Sequence, residues 1–148
     1  MKQKEIDLYM SIAKRVAEMS HAVRLKVGSV IAKPGGLFLA YGYNGMPAGD
    51  DNCCETEVYH ERMWDKVGEL VTKPEVLHAE PNAITKCARE GRSTQDAWIF
   101  QTHSPCIHCA KLILQAGITH VVYAEKYRND DGIQFLKERN VNVQEYKL

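Results

Sequence analysis

The fold class of this chain is indicated most clearly by residues Ala97–Tyr146, AWIFQTHSPCIHCAKLILQAGITHVVYAEKYRNDDGIQFLKERNVNVQEY. Short apolar runs alternate in it with amphipathic segments, a pattern typical of strands that are connected by helices. Such consecutive units form right-handed crossovers between parallel strands. The pattern predicts strands at Ala97–Thr102, His120–Ala124 and Val141–Tyr146, with helices at Cys106–Ala116 and Asp130–Arg139.

The upstream sequence adds further elements to this unit. Residues 4–19 carry apolar side chains at helical spacing, and His78–Glu90 is helical with Gly91 as its stop. Val27–Ala32 and Leu37–Tyr43 flank a Pro-Gly-Gly turn and predict a hairpin. In the long segment between these elements we expect a short helix around Glu57–Val67. Together the elements predict one α/β domain over residues 1–148, with a mixed, about five-stranded central sheet flanked by helices.

Composition excludes several classes of protein. The 148 residues fit one domain, and 19 Lys and Arg balance 19 Asp and Glu. This balance argues against a strongly basic nucleic-acid coat protein and against a disordered acidic chain. No apolar run is long enough to span a bilayer, and the N-terminus lacks the apolar run of a signal peptide. We therefore expect a cytoplasmic protein without a membrane partner, and its five cysteines do not suggest a fully paired disulfide framework.

Two short motifs carry the predicted chemistry, His78-Ala79-Glu80 and Pro105-Cys106-Ile107-His108-Cys109. A Cys-x-x-Cys pair at a helix start places both sulfurs on one side of the first turn, where unpaired N–H groups favour thiolate. With His78 as third ligand, a tetrahedral zinc ion keeps one position open for water. Glu80 lies beside this site as a carboxylate able to take and return a proton.

Each motif alone has a simpler interpretation. A Cys-x-x-Cys pair also occurs as a redox pair or as half of a structural zinc site, and His-x-Glu is frequent by chance. Their combination, in this order and each at a helix start, is typical of zinc-dependent deaminases. A closed structural zinc site has no use for Glu80, which argues against a non-catalytic zinc-stabilised binding module.

Longer motifs surround these residues, at Gly42–Gly49, His78–Ile84, Ser104–Ile118 and Glu125–Asp131. They resemble motifs of the cytidine/deoxycytidylate deaminase superfamily, and most closely those of its deoxycytidylate (dCMP) deaminases. The resemblance extends from about Ser20 to Asp131. It implies a three-layer α/β/α fold and hydrolysis of dCMP to dUMP and ammonia, which supplies dUMP for dTMP synthesis. It also implies a homohexamer that dCTP activates and dTTP inhibits, with Mg²⁺ accompanying the triphosphates.

The resemblance also implies roles for residues outside the zinc site. Tyr127 matches the family's substrate tyrosine, and Asn44 matches its sugar-binding asparagine; a surface tyrosine and an Asn-Gly turn are the alternatives. For the 5′-phosphate we favour Arg24 and Lys26 over Arg128. Effector binding or subunit contact is expected at Gly45, Met46 and Arg89.

Two questions stay open at the level of sequence. Cys53, Cys54, His60 and His21 form either a second, structural zinc site or part of a loop with two buried thiols. A tRNA adenosine deaminase shares the chemistry, but the zero net charge disfavours binding to a nucleic-acid backbone. We therefore expect no nucleic-acid partner.

Overall fold

The computed structural model of the chain describes residues 1–62 and 65–147. Within these residues, no helix has the length and apolar character needed to cross a membrane. The helices are α1 (Gln3–Ala17), α2 (Ala79–Arg89), α3 (Ile107–Gln115) and α4 (Asp131–Lys137). The strands are β1 (Gly28–Lys33), β2 (Leu37–Tyr43), β3 (Glu55–Arg62), β4 (Asp65–Thr72), β5 (Trp98–His103), β6 (His120–Glu125) and β7 (Asn142–Glu145).

The central sheet has five strands in the order β2-β1-β5-β6-β7. Strand β1 pairs antiparallel with both β2 and β5, whereas β5, β6 and β7 run parallel to one another. This confirms the expected mixed, five-stranded sheet and the parallel pairing of the strands from the C-terminal stretch.

One face of the sheet is covered by α1. Because successive side chains of a strand point to opposite faces, Val30, Phe100 and Val122 all face this helix. They pack with its apolar stripe of Ile6, Tyr9, Met10 and Ala13. The helix predicted over residues 4–19 is thus confirmed, with its ends within two residues of the expected positions.

The opposite face is covered by α2, α3 and α4. Ile31, Ile99 and Val121 alternate with the residues that face α1, and they form the second half of the core. Gly42 of β2 lies directly under the first turn of α2, since a Cβ there would overlap the backbone of Ala79 and Ala83. The close approach fixes the start of α2 against the sheet. The sheet with helices on both faces confirms the three-layer arrangement.

The helix expected around Glu57–Val67 is wrong. Residues on both sides of its centre belong to the antiparallel hairpin of β3 and β4, in register from Glu55 opposite Thr72 to Arg62 opposite Asp65. Met63 and Trp64, which the prediction included, lie outside the described residues. This hairpin is a sheet separate from the central one, and side chains such as Tyr59 (60% exposed) are open to solvent. A strand without a buried face shows no alternation of apolar and polar residues from which it could be predicted.

Candidate active site

Three side chains suited to bind a metal converge where α2 and α3 begin. His78 is the N-cap residue of α2 and Cys106 that of α3, while Cys109 lies in the first turn of α3. One potential ligand atom from each lies within 4.8 Å of the others. The two helices lie side by side on the sheet, which brings together motifs that are 28 residues apart in the chain.

The separations of these atoms fit zinc. The Nδ1 of His78 lies 3.7 Å from the Sγ of Cys106 and 3.3 Å from the Sγ of Cys109. Zinc–sulfur bonds of about 2.3 Å and zinc–nitrogen bonds of about 2.0–2.1 Å, at tetrahedral angles, separate neighbouring ligand atoms by roughly 3.5–3.8 Å. One imidazole nitrogen and two thiolates also form a donor set that zinc prefers. The residues therefore fit a zinc ion with three protein ligands.

The cysteines have unequal proton affinities when no metal is bound. Hydrogen bonds with Cys109, chiefly, and with His78 lower the pKa of the Cys106 thiol to about 3, against the opposing effect of burial. The same pairing and burial raise the pKa of Cys109 above its ordinary value. The pKa of His78 is raised, chiefly by its hydrogen bond with Cys106. Cys106 is thus a thiolate at neutral pH, whereas metal binding must displace a proton from Cys109.

Glu80 lies in the first turn of α2, two residues after His78, and only 4% of it is exposed. Burial raises the pKa of its carboxyl group to about 6, against the opposing effects of its own backbone N–H and of His78. A carboxyl group with a pKa near neutrality is suited to both accept and donate a proton.

A cleft of about 430 Å³ opens beside the metal-binding residues. His78, Glu80 and Cys106 form one part of its wall, and Tyr127 lines it as well. The Tyr127 backbone N–H donates to the Oγ of Ser104 at 2.8 Å, which ties the segment after β6 to the residue before Pro105. The expected stacking residue thus shares a cleft with the metal-binding residues.

Asn44 follows β2 and also lines the cleft. Its Oδ1 accepts a hydrogen bond from the Val27 N–H at 2.8 Å, and its Nδ2 donates to the Leu25 carbonyl at 2.8 Å. The side chain therefore holds the backbone of the segment that precedes β1. One amide hydrogen and one lone pair remain for a ligand.

Comparison with known proteins identifies the family. The family model of the cytidine and deoxycytidylate deaminase zinc-binding region matches residues 3–125. The chain belongs to this family. The match includes all the residues proposed to bind zinc and Glu80.

Two curated relatives of this deaminase-family chain are similar over most of its length. The ComE operon protein 2 of Bacillus subtilis (strain 168) is 36% identical over 146 residues, covering 95% of this chain and 70% of that protein. The deoxycytidylate deaminase of Enterobacteria phage T4 is 34% identical over 154 residues, covering 83% of this chain and 79% of that protein.

Solved structures confirm the cytidine deaminase-like fold. The dCMP deaminase of cyanophage S-TIM5, in complex with dCMP and dUMP, is 39% identical with a TM-score of 0.85 and covers 99% of both chains. A tRNA:A34 deaminase is 18% identical with a TM-score of 0.64, and its likeness concerns the fold alone.

Of the two cations expected to bind phosphate, Arg24 and Lys26, only Arg24 is part of the cleft wall. Arg24 lines the cleft, and its guanidinium donates to the Oγ1 of Thr72 at 3.0 Å. Lys26 is exposed and is not part of the cleft wall. Lys126 and Arg128, on either side of Tyr127, both line it. The cleft therefore contains cations at both Arg24 and the segment after β6.

The residues expected at an effector site or interface lie outside the metal cluster. Gly45 exchanges backbone hydrogen bonds with Leu77, at 3.1 and 2.9 Å, so its N–H already has a partner. Met46 is half-buried, and Arg89 is exposed with its Nε 3.3 Å from the Glu90 carboxylate. Their expected roles remain predictions.

The structure does not bring together the residues considered for a second zinc site. Among the described residues, the group of potential ligands within reach of one metal ion is that of His78, Cys106 and Cys109. Cys54 is buried, Cys53 is exposed, and the Nε2 of His60 lies 3.5 Å from Glu69 on the hairpin. The geometry favours the loop, but the expectation of two buried thiols is wrong for Cys53, whose side chain is exposed.

The sequence did not identify several residues of the cleft. Lys126 was not singled out, although it lies next to Tyr127 in the motif Glu125–Asp131, which was the available signal. His103 and Glu125 end neighbouring parallel strands, which places both in the wall, with His103 Nε2 3.4 Å from the Glu125 carboxylate. Glu55 was missed because its segment was expected to lead into a helix.

Proposed function

We propose that this chain catalyses the hydrolysis of dCMP to dUMP and ammonia. The observation that carries the proposal is the convergence of His78, Cys106 and Cys109. The cleft beside this cluster is lined by His78, Cys106 and the buried Glu80. Family membership and the similarity to the dCMP-binding deaminase of cyanophage S-TIM5 support dCMP as the substrate.

His78, Cys106 and Cys109 are proposed to hold a catalytic zinc ion. Such an ion lowers the pKa of water in its open position towards neutrality and so makes a nucleophile available. Glu80 accepts the proton that the water loses as its oxygen bonds to C4 of the cytosine ring. Glu80 then returns this proton to the 4-amino group, so the C4–N bond breaks and ammonia leaves. The hydroxyl group left on C4 tautomerises to the carbonyl group of dUMP. The raised pKa of Glu80, about 6, suits it to both transfers.

The remaining residues of the cleft are proposed to bind the nucleotide. Tyr127 stacks on the cytosine ring and holds it flat over the metal end of the cleft. Asn44 secures the segment that carries Arg24 and offers its remaining hydrogen-bonding capacity to the sugar. Arg24 binds the 5′-phosphate together with Lys126 and Arg128, because all three cations line the cleft.

The family resemblance motivates further proposals about regulation and setting. We propose a homohexamer of single-domain chains (residues 1–148) that is activated by dCTP and inhibited by dTTP, each triphosphate with Mg²⁺. The segment at Gly45 and Met46 is proposed to contact an effector, and the exposed Arg89 a neighbouring subunit. In the cytoplasm, the product dUMP would supply dTMP synthesis.

The decisive experiment is an ammonia-release assay of the purified protein with dCMP, CMP, deoxycytidine and dCTP, and with a tRNA anticodon stem-loop in parallel. We expect turnover with dCMP far above that with the others. Glu80→Gln should bind zinc yet lose turnover by about two to four orders of magnitude. Turnover of the stem-loop without turnover of dCMP would contradict the proposal.

A further inference from the structure

A buried carboxylate with no role in the proposed reaction lies in the wall of the cleft. Glu55 begins β3, and only 9% of it is exposed. Its Oε1 accepts hydrogen bonds from the backbone N–H groups of Val23, at 2.9 Å, and Arg24, at 3.2 Å. No other side-chain hydrogen bond or ion pair of Glu55 exists within residues 1–62 and 65–147. Burial of a carboxylate is costly unless hydrogen bonds compensate it, so its Oε2 is suited to a donor on a ligand.

A continuous series of contacts connects the residue before His78 with Glu55. Leu77, which precedes His78, pairs with Gly45, and the adjacent Asn44 holds Leu25 and Val27. The same segment continues back to Val23 and Arg24, which Glu55 holds. Glu55 therefore holds the backbone of the cation proposed to bind phosphate, next to the residues that Asn44 secures.

The chemistry of dCMP leaves one group that suits this position. A carboxylate repels the phosphate, and the 4-amino group of cytosine must lie near Glu80 for the reaction. The remaining donor of the nucleotide is the 3′-hydroxyl of its sugar, which lies between the base and the phosphate.

We propose that Glu55 recognises the sugar: Oε1 anchors the segment that carries Arg24, and Oε2 accepts a hydrogen bond from the 3′-hydroxyl group. The inference rests on the proposed function, because it takes dCMP as the ligand. It assigns sugar recognition to a residue beyond the predicted Asn44, whose side-chain oxygen and nitrogen each already hold a backbone group. A charge-assisted hydrogen bond to Glu55 is stronger than one to a neutral amide.

The test compares dCMP with 2′,3′-dideoxycytidine monophosphate, which lacks only the 3′-hydroxyl group. For the wild-type protein we expect kcat/KM for dCMP to exceed that for the dideoxy compound by about 10- to 100-fold, the range for a hydrogen bond to a charged group. Glu55→Gln keeps an oxygen for the Val23 and Arg24 N–H groups but removes the charge. Its preference for dCMP should fall by about tenfold, and in Glu55→Met it should approach one.

Glu57→Gln is the matched control, because Glu57 is an exposed carboxylate on the same strand. It should preserve the wild-type preference. If Glu55→Gln lowered kcat/KM equally for both compounds, Glu55 would have only a structural role, and the inference would be overturned. A wild-type protein that turns over both compounds equally well would also overturn it, without any variant. Absence of dCMP turnover in the wild type would instead contradict the proposed function.

Discussion

Replacing Glu80 by Gln should make the zinc-free protein more stable while it abolishes catalysis. The carboxyl group is buried, and burial raises its pKa from 4.5 to about 6. At pH values between these two pKa values, the folded protein therefore binds more protons than the unfolded chain. The free energy of unfolding therefore falls as the pH rises from 4.5 through 6. Gln has nearly the same shape and no charge, so the free energy of unfolding of the variant does not fall in this pH range.

The expected gain in the free energy of unfolding follows from the size of the pKa shift of Glu80. The difference between 4.5 and about 6 corresponds to about 2 kcal/mol at 1.36 kcal/mol per pH unit. We expect Glu80→Gln to gain about this free energy of unfolding at pH 7 and above, and almost none below pH 4.5.

The assay is urea denaturation of chelator-treated protein at several pH values between about 4 and 8, with Glu57→Gln as the control for an exposed carboxylate. The control should follow the wild type at every pH. A Glu80→Gln variant whose advantage is independent of pH, or absent at pH 7, would refute the assignment of a buried carboxylate with a raised pKa. Near-normal deamination by this variant would refute its role as proton carrier.

Further expectations concern the metal, the phosphate and the regulation. Cys106→Ala should lose most bound zinc in elemental analysis, whereas Cys87→Ala, a buried core thiol, should retain it; one zinc per Cys106→Ala chain would show that the ligands are different. Arg24→Ala should raise KM for dCMP by about tenfold or more without affecting deoxycytidine, and Lys26→Ala, outside the cleft wall, should change neither by more than about twofold. With Mg²⁺ present, the dCMP rate curve should be sigmoidal, with dCTP making it hyperbolic and dTTP shifting it to higher dCMP. A hyperbolic curve insensitive to both, in a monomer by mass determination, would contradict the allosteric oligomer.

The elements of the central domain could be predicted from sequence because their signals are local. In the segment Ala97–Tyr146, buried strands alternate with amphipathic helices. The periodicity of the apolar side chains therefore predicts both the type and the order of these elements. The same applies to the metal-binding motif at Cys106, since a helix start places two sulfurs three residues apart on one side. Residues at helix starts were therefore predicted together with the elements that hold them.

The hairpin of β3 and β4 could not be predicted in this way. Neither strand packs on the core, so neither shows the alternation that marks a half-buried strand. Its strands are stabilised by pairing with each other, and pairing depends on residues up to 17 positions apart, as for Glu55 and Thr72. Glu55 was missed for this reason, although it contributes to the cleft.

The chemistry of the candidate site can be predicted from local sequence: the identities of His78, Cys106, Cys109 and Glu80, and the helix starts that carry them. The construction of the cleft around these residues depends on long-range pairing. The antiparallel pairing of β1 with β5 joins the N-terminal hairpin to the parallel strands, and it thereby brings Arg24 and Tyr127 into the wall of the same cleft. That pairing joins residues about 70 positions apart, as in Ser29 with Gln101. No local pattern encodes such a contact, because it is selected by the burial of both faces of the sheet at once.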